Sequence, residues 1–271
     1  MFARITGLSS RVPCDVTRRP PRRKRPVRGA ATGTPKYAVG VDSKPDEDQR
    51  AARLLDAQRK AEQLFDEVGA RGLVRPGIGE RALSDEIRDL AAELLGVTRH
   101  WHKRIVRSGE NTVAIYRENP PDRIIGDDDI VFLDFGPLFE EWEADFGRTY
   151  VLGDDPVKLA LRDDLPRIWA AGRAHYEASP DITGEQLFEH VVALSREAGW
   201  EFGGVIAGHL VGEFPHEKIS GDEVASYVAP GSTSPMRRVD RQGRRCHWIL
   251  EVHLLDPQRR FGGFHEELLD L

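Results

Sequence analysis

The segment from Asp129 to Tyr150, DIVFLDFGPLFEEWEADFGRTY, sets the tightest limit on how this chain can fold. Apolar residues fill Ile130 to Phe135, and a second strand-like run opens at Asp145 and continues to Leu152, with Gly136, Pro137 and several acids between them. This pattern predicts two antiparallel strands joined by a turn-and-acid connection. Asp134 ends the first run and Asp145 opens the second, so the pairing brings both carboxylates to the same end of the hairpin. Two carboxylates held close repel unless a cation sits between them. Arg148 is near enough in sequence to serve, and a metal ion would serve as well.

Further candidates lie downstream. Gly208-His209-Leu210-Val211-Gly212 is followed by Pro215-His216-Glu217, and two later strand-like runs each carry glutamate: His247 to Leu254 with Glu251, and Phe261 to Leu269 with Glu266 beside Glu267. Two Asp, one His and two Glu from distant segments make a ligand set. Oxygen-rich ligation with a single imidazole suits manganese, cobalt, iron or zinc, and two bridging carboxylates suit a pair of metals.

The order and spacing of these residues resemble the pita-bread metallopeptidases, a group that includes methionine aminopeptidase, Xaa-Pro aminopeptidase and prolidase. The resemblance rests on Asp134-Phe135-Gly136, on Asp145 followed by Arg148-Thr149, on Gly208-His209 through His216-Glu217, on Glu251 and on Phe264-His265-Glu266, and it covers residues 46–271. It implies an α+β fold in which a curved antiparallel sheet is covered by two pairs of helices with pseudo-two-fold symmetry. It also implies that Asp134, Asp145, His209, Glu251 and Glu266 ligate two divalent ions (Mn, Co, Zn or Fe), with Asp145 and Glu266 bridging. Glu251 would double as proton shuttle, His216 would stabilise the tetrahedral oxyanion, and metals this close would lower the pKa of a bridging water toward neutrality. Glu267 would stand behind the ligands or in solvent. The implied reaction is hydrolysis of a peptide bond near a free N-terminus.

One position departs from the family pattern. Where the family delivers a histidine to the substrate pocket, this chain has Tyr116, which can donate a hydrogen bond but, with an ordinary pKa of about 10, does not share a proton at neutral pH. The larger Xaa-Pro and creatinase-like members carry an extra N-terminal domain for which no room is expected ahead of residue 46. The expectation is therefore a compact dinuclear hydrolase, not specifically a methionine aminopeptidase. Two alternatives remain: a noncatalytic peptide- or histone-binding scaffold, and a metal-free amidinohydrolase like creatinase. Such scaffolds usually lose metal ligands, whereas all five are present here, and the same five disfavour the amidinohydrolase.

Composition narrows the remaining classes. In a chain of 271 residues, 39% hydrophobic residues is enough for a substantial core. No run approaches the roughly 18 apolar residues of a membrane span. Two cysteines, Cys14 and Cys246, argue against a structural disulfide and fit a reducing cytoplasm, where a soluble protein is expected. The net charge of −6 hides an asymmetry: residues 1–35 hold nine basic residues and one acid, and the rest of the chain 30 basic and 44 acidic. Residues 1–45, with TRRPPRRKRPVRG at their centre, bury too little apolar surface to offset their ordering entropy and read as a disordered arm. Such an arm could touch nucleic acid or act as a targeting peptide, but a start without function is the simpler reading. Peptide substrate is the partner expected, with no membrane, nucleic acid reached by the basic arm alone, and a homodimer as the assembly to consider.

Helical periodicity runs from Pro45 to Gly69 through Leu54, Leu55, Ala57, Ala61, Leu64, Phe65 and Val68, and again from Glu80 to Leu95, where Gly96 stops it. Between 97 and 118, strand-like pieces flank the turn Ser108-Gly109-Glu110-Asn111. His100 and His102 would share a strand face there, but their basic surroundings place them outside the metal site, as an exposed or substrate-lining strip. Pro156 to Glu177 reads as a helix packing through Leu159, Leu165, Ile168, Trp169 and Tyr176, with His175 at the surface. Thr183 to Gly199 reads as another, opened by a Thr183-x-x-Gln186 capping box and carrying a surface His190. Gly199 to Gly212 lacks the spacing of a phosphate loop; its glycines let backbone approach a buried centre. The loop 229–246 borders the mouth of the site, with Arg237, Arg238, Arg244 and Arg245 facing solvent or an acidic substrate.

Overall fold

In a computed structural model, residues 46–215, 224–258 and 260–271 are described. The Arg/Pro-rich arm, Cys14, His216 and Glu217 lie outside them. The described helices and strands follow the order α1 (Glu47–Ala70), α2 (Glu80–Leu95), β1 (Ile105–Ser108), β2 (Ile130–Phe135), β3 (Leu138–Phe139), β4 (Trp142–Glu143), β5 (Phe146–Val151), α3 (Pro156–Ala178), α4 (Gly184–Glu197), β6 (Glu201–Phe202), β7 (Gly208–Val211), β8 (His247–Leu255) and β9 (Gly262–Leu268). A seven-stranded sheet runs β1-β2-β5-β9-β8-β6, with β7 also on β8, and every pairing is antiparallel.

The helices form where the periodicity places them, for identifiable reasons. Asp46 caps α1 through the backbone N–H of Gln49 at 2.8 Å, and Gly96 ends α2 in the left-handed region at φ 67°. Thr183 and Gln186 close the capping box of α4. In α3 Leu165, Ile168, Trp169 and Tyr176 are buried as expected, but Leu159 is only partly buried and Leu161 takes the core position instead. His175 and His190 are partly exposed and stack on each other at 3.9 Å between α3 and α4.

Alternation along the strands sorts the core. Leu133, Phe135 and Phe146 pack against α1, where Phe65 meets Phe135 and Phe146 at 6.1 and 4.8 Å between ring centroids. Leu250, Val252 and Leu254 pack against α3 through Leu161, Leu165 and Trp169. The two helix pairs thus occupy the side of the sheet opposite to Asp134 and Glu251.

The connection inside the central hairpin is more ordered than a turn-and-acid segment. It folds back as the β3–β4 pair, whose Glu143 is buried and accepts the Gly212 N–H at 3.3 Å. The segment 99–102 docks against it: Trp101 N–H donates to Gly136 O at 2.9 Å and Leu138 N–H to Arg99 O at 3.0 Å.

The arginines of loop 229–246 are held chiefly by the protein. Arg237 donates to the carbonyls of Tyr176 and Ser179, Arg238 to Ala225, and Arg244 pairs with Asp240 and Glu213. Arg245, exposed, donates its backbone N–H to Glu47 at 3.2 Å.

Candidate metal centre

The sheet register assembles the acids. Asp134 of β2 lies opposite Gly147 of β5, Gly147 opposite Glu266 of β9, and Glu266 opposite Glu251 of β8. Directly opposed residues of antiparallel strands project to the same face, so one row across four strands presents three carboxylates. Asp145 stands two positions before Gly147 and shares that face. His209 of β7 lies opposite Ile249, two before Glu251, and joins them. Gly147 is the one member without a side chain, and a Cβ there would come within 2.5 Å of the Phe264 ring and 3.1 Å of Glu266 Cβ. Gly208 is required for a similar reason: at φ 143° a Cβ would meet Ile249 O at 2.1 Å, so only glycine brings His209 this close to β8.

Arg148 and Thr149 hold the row together. Arg148 does not pair with Asp134 or Asp145; its guanidinium donates to Glu267 and to Glu266 O and lies 3.7 Å over the Phe146 ring. Thr149 Oγ1 accepts the Phe264 N–H at 2.7 Å and donates to Phe264 O at 2.8 Å. Both grips fall on residues beside or at Glu266.

The five expected ligands therefore converge, and a sixth group joins them. His102 Nε2 lies 3.0 Å from Asp145 Oδ1 and 3.5 Å from Asp134 Oδ1, while His209 Nε2 lies 3.1 Å from Asp145 Oδ2 and 3.8 Å from Glu266 Oε1. Two clusters, His102-Asp134-Asp145 and Asp145-His209-Glu266, each place ligand atoms within 4.8 Å of one another and could hold a metal ion. His102 is not exposed, its side chain being 4% exposed, but it does line the cavity at the centre. The signal that could have found it is Gly136. A Cβ there would lie 2.1 Å from the His102 ring and 2.4 Å from Trp101 Nε1, so the glycine after Asp134 makes room for both. His100, by contrast, sits against Phe135 at 5.9 Å, and burial holds its pKa down at about 4.

The charges in this centre are unbalanced. Burial, the largest influence on both His102 and His209, opposes the charged ring, yet Asp145, aided by Asp134 at His102 and by Glu251 at His209, raises both imidazoles to about 9. Asp145 is held well below the usual carboxylate range, because the two histidines more than offset its burial. The other acids move upward through burial first and neighbouring negative charge second: Asp134 to about 7 and Glu251 to about 8, both against a histidine's pull, and Glu266 well above its ordinary value. The protein's own cations do not neutralise four acids in one place. Asp134 Oδ1 is buried without a hydrogen-bond partner, as a carboxylate oxygen waiting for a cation would be. The donor set, carboxylates with imidazole and no thiolate, fits divalent ions such as manganese, cobalt, iron or zinc.

The centre opens into a cavity of about 760 Å³ whose apolar lining includes Trp101, Ile105, Phe132, Val205 and Phe264. Tyr116 lies on it, 52% exposed, with its ring 6.1 Å from His102 and Lys103 Nζ 4.7 Å above it. Ala229 and Pro230 place the loop 229–246 at the same cavity. His216 falls among the residues not described.

Comparison with known proteins agrees with this architecture. Among solved structures, X-Pro aminopeptidase from Thermotoga maritima superposes with a TM-score of 0.62 at 19% identity, over 82% of this chain and 58% of that one. The Xaa-Pro dipeptidase from Bacillus anthracis gives 0.61 at 21%, over 81% and 57%, and a dipeptidase from Pyrococcus horikoshii 0.59 at 22%, over 81% and 56%. The chain spans less than two thirds of the length of these structures. No curated protein matches its sequence. The family model of metallopeptidase family M24 matches residues 52–239, which include Asp134, Asp145 and His209 and end before Glu251 and Glu266. With that match over more than half of its length and a sheet flanked by two helix pairs, the chain belongs to metallopeptidase family M24 and has its pita-bread fold.

Proposed function

We propose that this chain is a dinuclear metal-dependent aminopeptidase-type hydrolase that cleaves a peptide bond near a free N-terminus, with Xaa-Pro or related peptides as substrates. The observation that carries the reading is the convergence of Asp134, Asp145, His209, Glu251 and Glu266 from five segments onto one buried face, with Asp134 Oδ1 left unsatisfied. The substrate class comes from the names of the structures the fold matches, an X-Pro aminopeptidase and an Xaa-Pro dipeptidase.

Two divalent ions held there would supply Lewis-acid polarisation of a substrate carbonyl and a water of lowered pKa. Asp145, with a histidine on each oxygen, and Glu266 would be the carboxylates shared between them. Glu251, paired in register with Glu266 on the same face, is assigned the role of proton shuttle. His216 is assigned the donor role toward the oxyanion and Tyr116 a hydrogen bond to the substrate. The apolar walls of the cavity, Phe132 and Phe264 among them, exclude water from the scissile bond and accept an apolar side chain.

The test is metal content by elemental analysis of the purified chain and of Asp145→Ala, with proline-containing and methionine-initiated peptides assayed on both. Close to two metals per chain, lost in the variant together with hydrolysis, is the expected result. No metal and no turnover after reconstitution with manganese or cobalt would overturn the hydrolase reading and leave a peptide-binding scaffold.

A further inference from the structure

The two histidines at the centre are placed alike. His209 has its Nδ1 2.8 Å from Leu210 O and its Nε2 on Asp145 Oδ2; His102 has its Nδ1 2.7 Å from Lys103 O and its Nε2 on Asp145 Oδ1. A carbonyl only accepts, so in each ring Nδ1 carries a proton and donates it to the carbonyl of the next residue, and Nε2 is the atom aimed at the carboxylates. Donation of the far ring N–H to a backbone carbonyl is the usual support of a metal-bound imidazole, because it fixes both tautomer and ring orientation. The second acids also correspond: Glu266 stands beside His209 at 3.8 Å, and Asp134 beside His102 at 3.5 Å. Asp134 is 7% exposed, and the oxygen nearest His102 is the one without a hydrogen-bond partner.

We propose that His102 is a ligand of the second metal position, so that each metal is held by one imidazole: one by His209, Glu251 and the shared Asp145 and Glu266, the other by His102, Asp134 and the same two shared carboxylates. This rests on the dinuclear reading above and adds a sixth side chain to the five ligands carried by the family pattern. The segment that brings it, residues 99–102, is docked onto the hairpin by Trp101 N–H on Gly136 O and by Trp101 Nε1 on Ala144 O at 3.0 Å. His102 is therefore carried by backbone fixed to the same β2–β5 connection that carries both aspartates. The consequence is a second position that prefers borderline ions, cobalt, iron or zinc, over the hard, all-oxygen preference of magnesium or calcium.

The test uses the full chain, stripped with a chelator and titrated with cobalt in equilibrium dialysis, followed by X-ray absorption to count imidazole nitrogens per metal. Wild type should take up about two cobalt ions per chain with about one imidazole each. His102→Ala and His102→Gln should keep the first affinity and lose about tenfold or more at the second. When cobalt in excess fills both positions of the variants, their imidazole count should fall to about half. Circular dichroism of the stripped proteins establishes that the variants fold, and the glutamine variant serves where alanine does not. An unchanged second affinity and imidazole count in the variants would overturn the inference. So would a weakened second site in variants of a wild type that already shows only about half an imidazole per cobalt, which would make His102 a positioning residue for Asp145. Wild type that takes up no cobalt would instead refute the dinuclear reading itself, and this inference with it.

Discussion

Asp145 is the residue on which the centre balances, since each of its oxygens faces a histidine at about the same distance, 3.0 and 3.1 Å. Its neighbours show what the metal-free protein does with the surplus charge. With His102 and His209 held up at about 9, each ring stays charged in the folded chain well past its unfolded value of about 6.5. That contribution to stability is complete below about pH 6.5 and is lost as pH rises through about 9. Glu251, raised to about 8, and Glu266 act in the same sense, because protonated carboxyls favour the fold and ionising them as pH rises removes that advantage. The melting temperature of the chelated protein should therefore fall steadily between about pH 6.5 and 9, and a flat profile would contradict the charge balance described here. Gly136 gives a second residue-scale prediction. Alanine there collides with the buried rings of His102 and Trp101, so Gly136→Ala should cost about 1–3 kcal/mol in chemical unfolding and weaken metal uptake, although no ligand is altered.

At the scale of elements, the site depends on joints that carry no chemistry. Glu80, the first residue of α2 and 5% exposed, accepts the Ser108 N–H at 2.6 Å, the Ser108 hydroxyl at 2.9 Å and the Asn111 amide at 2.9 Å. One carboxylate thus ties the start of α2, whose N-cap Gly79 offers no side chain, to the turn after β1. That turn continues into the sheet, because Thr112 Oγ1 accepts the Gly262 N–H at 2.7 Å and Thr112 O lies 2.9 Å from His253 Nε2. Glu80→Ala should leave buried donors unpaired and lower unfolding free energy by about 1–3 kcal/mol, with Glu80→Gln milder, because the amide oxygen still accepts. Metal affinity of a folded Glu80→Gln protein should stay near wild type, which equilibrium dialysis would check. The β5–β9 joint works the same way: a single ladder pair, Gly147 with Glu266, is reinforced by Arg148 and Thr149.

For the molecule as a whole, metal binding and folding are coupled, since ligands from segments as distant as Asp134 and Glu266 are brought together by the completed sheet alone. Adding cobalt to the stripped protein should raise the melting temperature in proportion to the logarithm of free metal, and Asp145→Ala should abolish the response. Much of this architecture is legible in the chain. The α2 bounds, the β2 bounds, the α4 capping box and the glycine approach at His209 follow from local periodicity and turn chemistry, which act over a few residues. The four acids and the histidine could be named because their spacing resembles a family, while their meeting on one face depends on strand register, a matter of pairing between segments far apart in sequence. What the sequence determined by itself is therefore the list of elements and of candidate ligands. The tertiary structure alone decided that Arg148 turns away from the aspartates to Glu267, and that His102 leaves its basic strip to face Asp145. Both outcomes depend on which side chain finds room and a partner across a nonlocal contact, the gap beside Gly136 in one case and the edge of β9 in the other, and no local pattern encodes that.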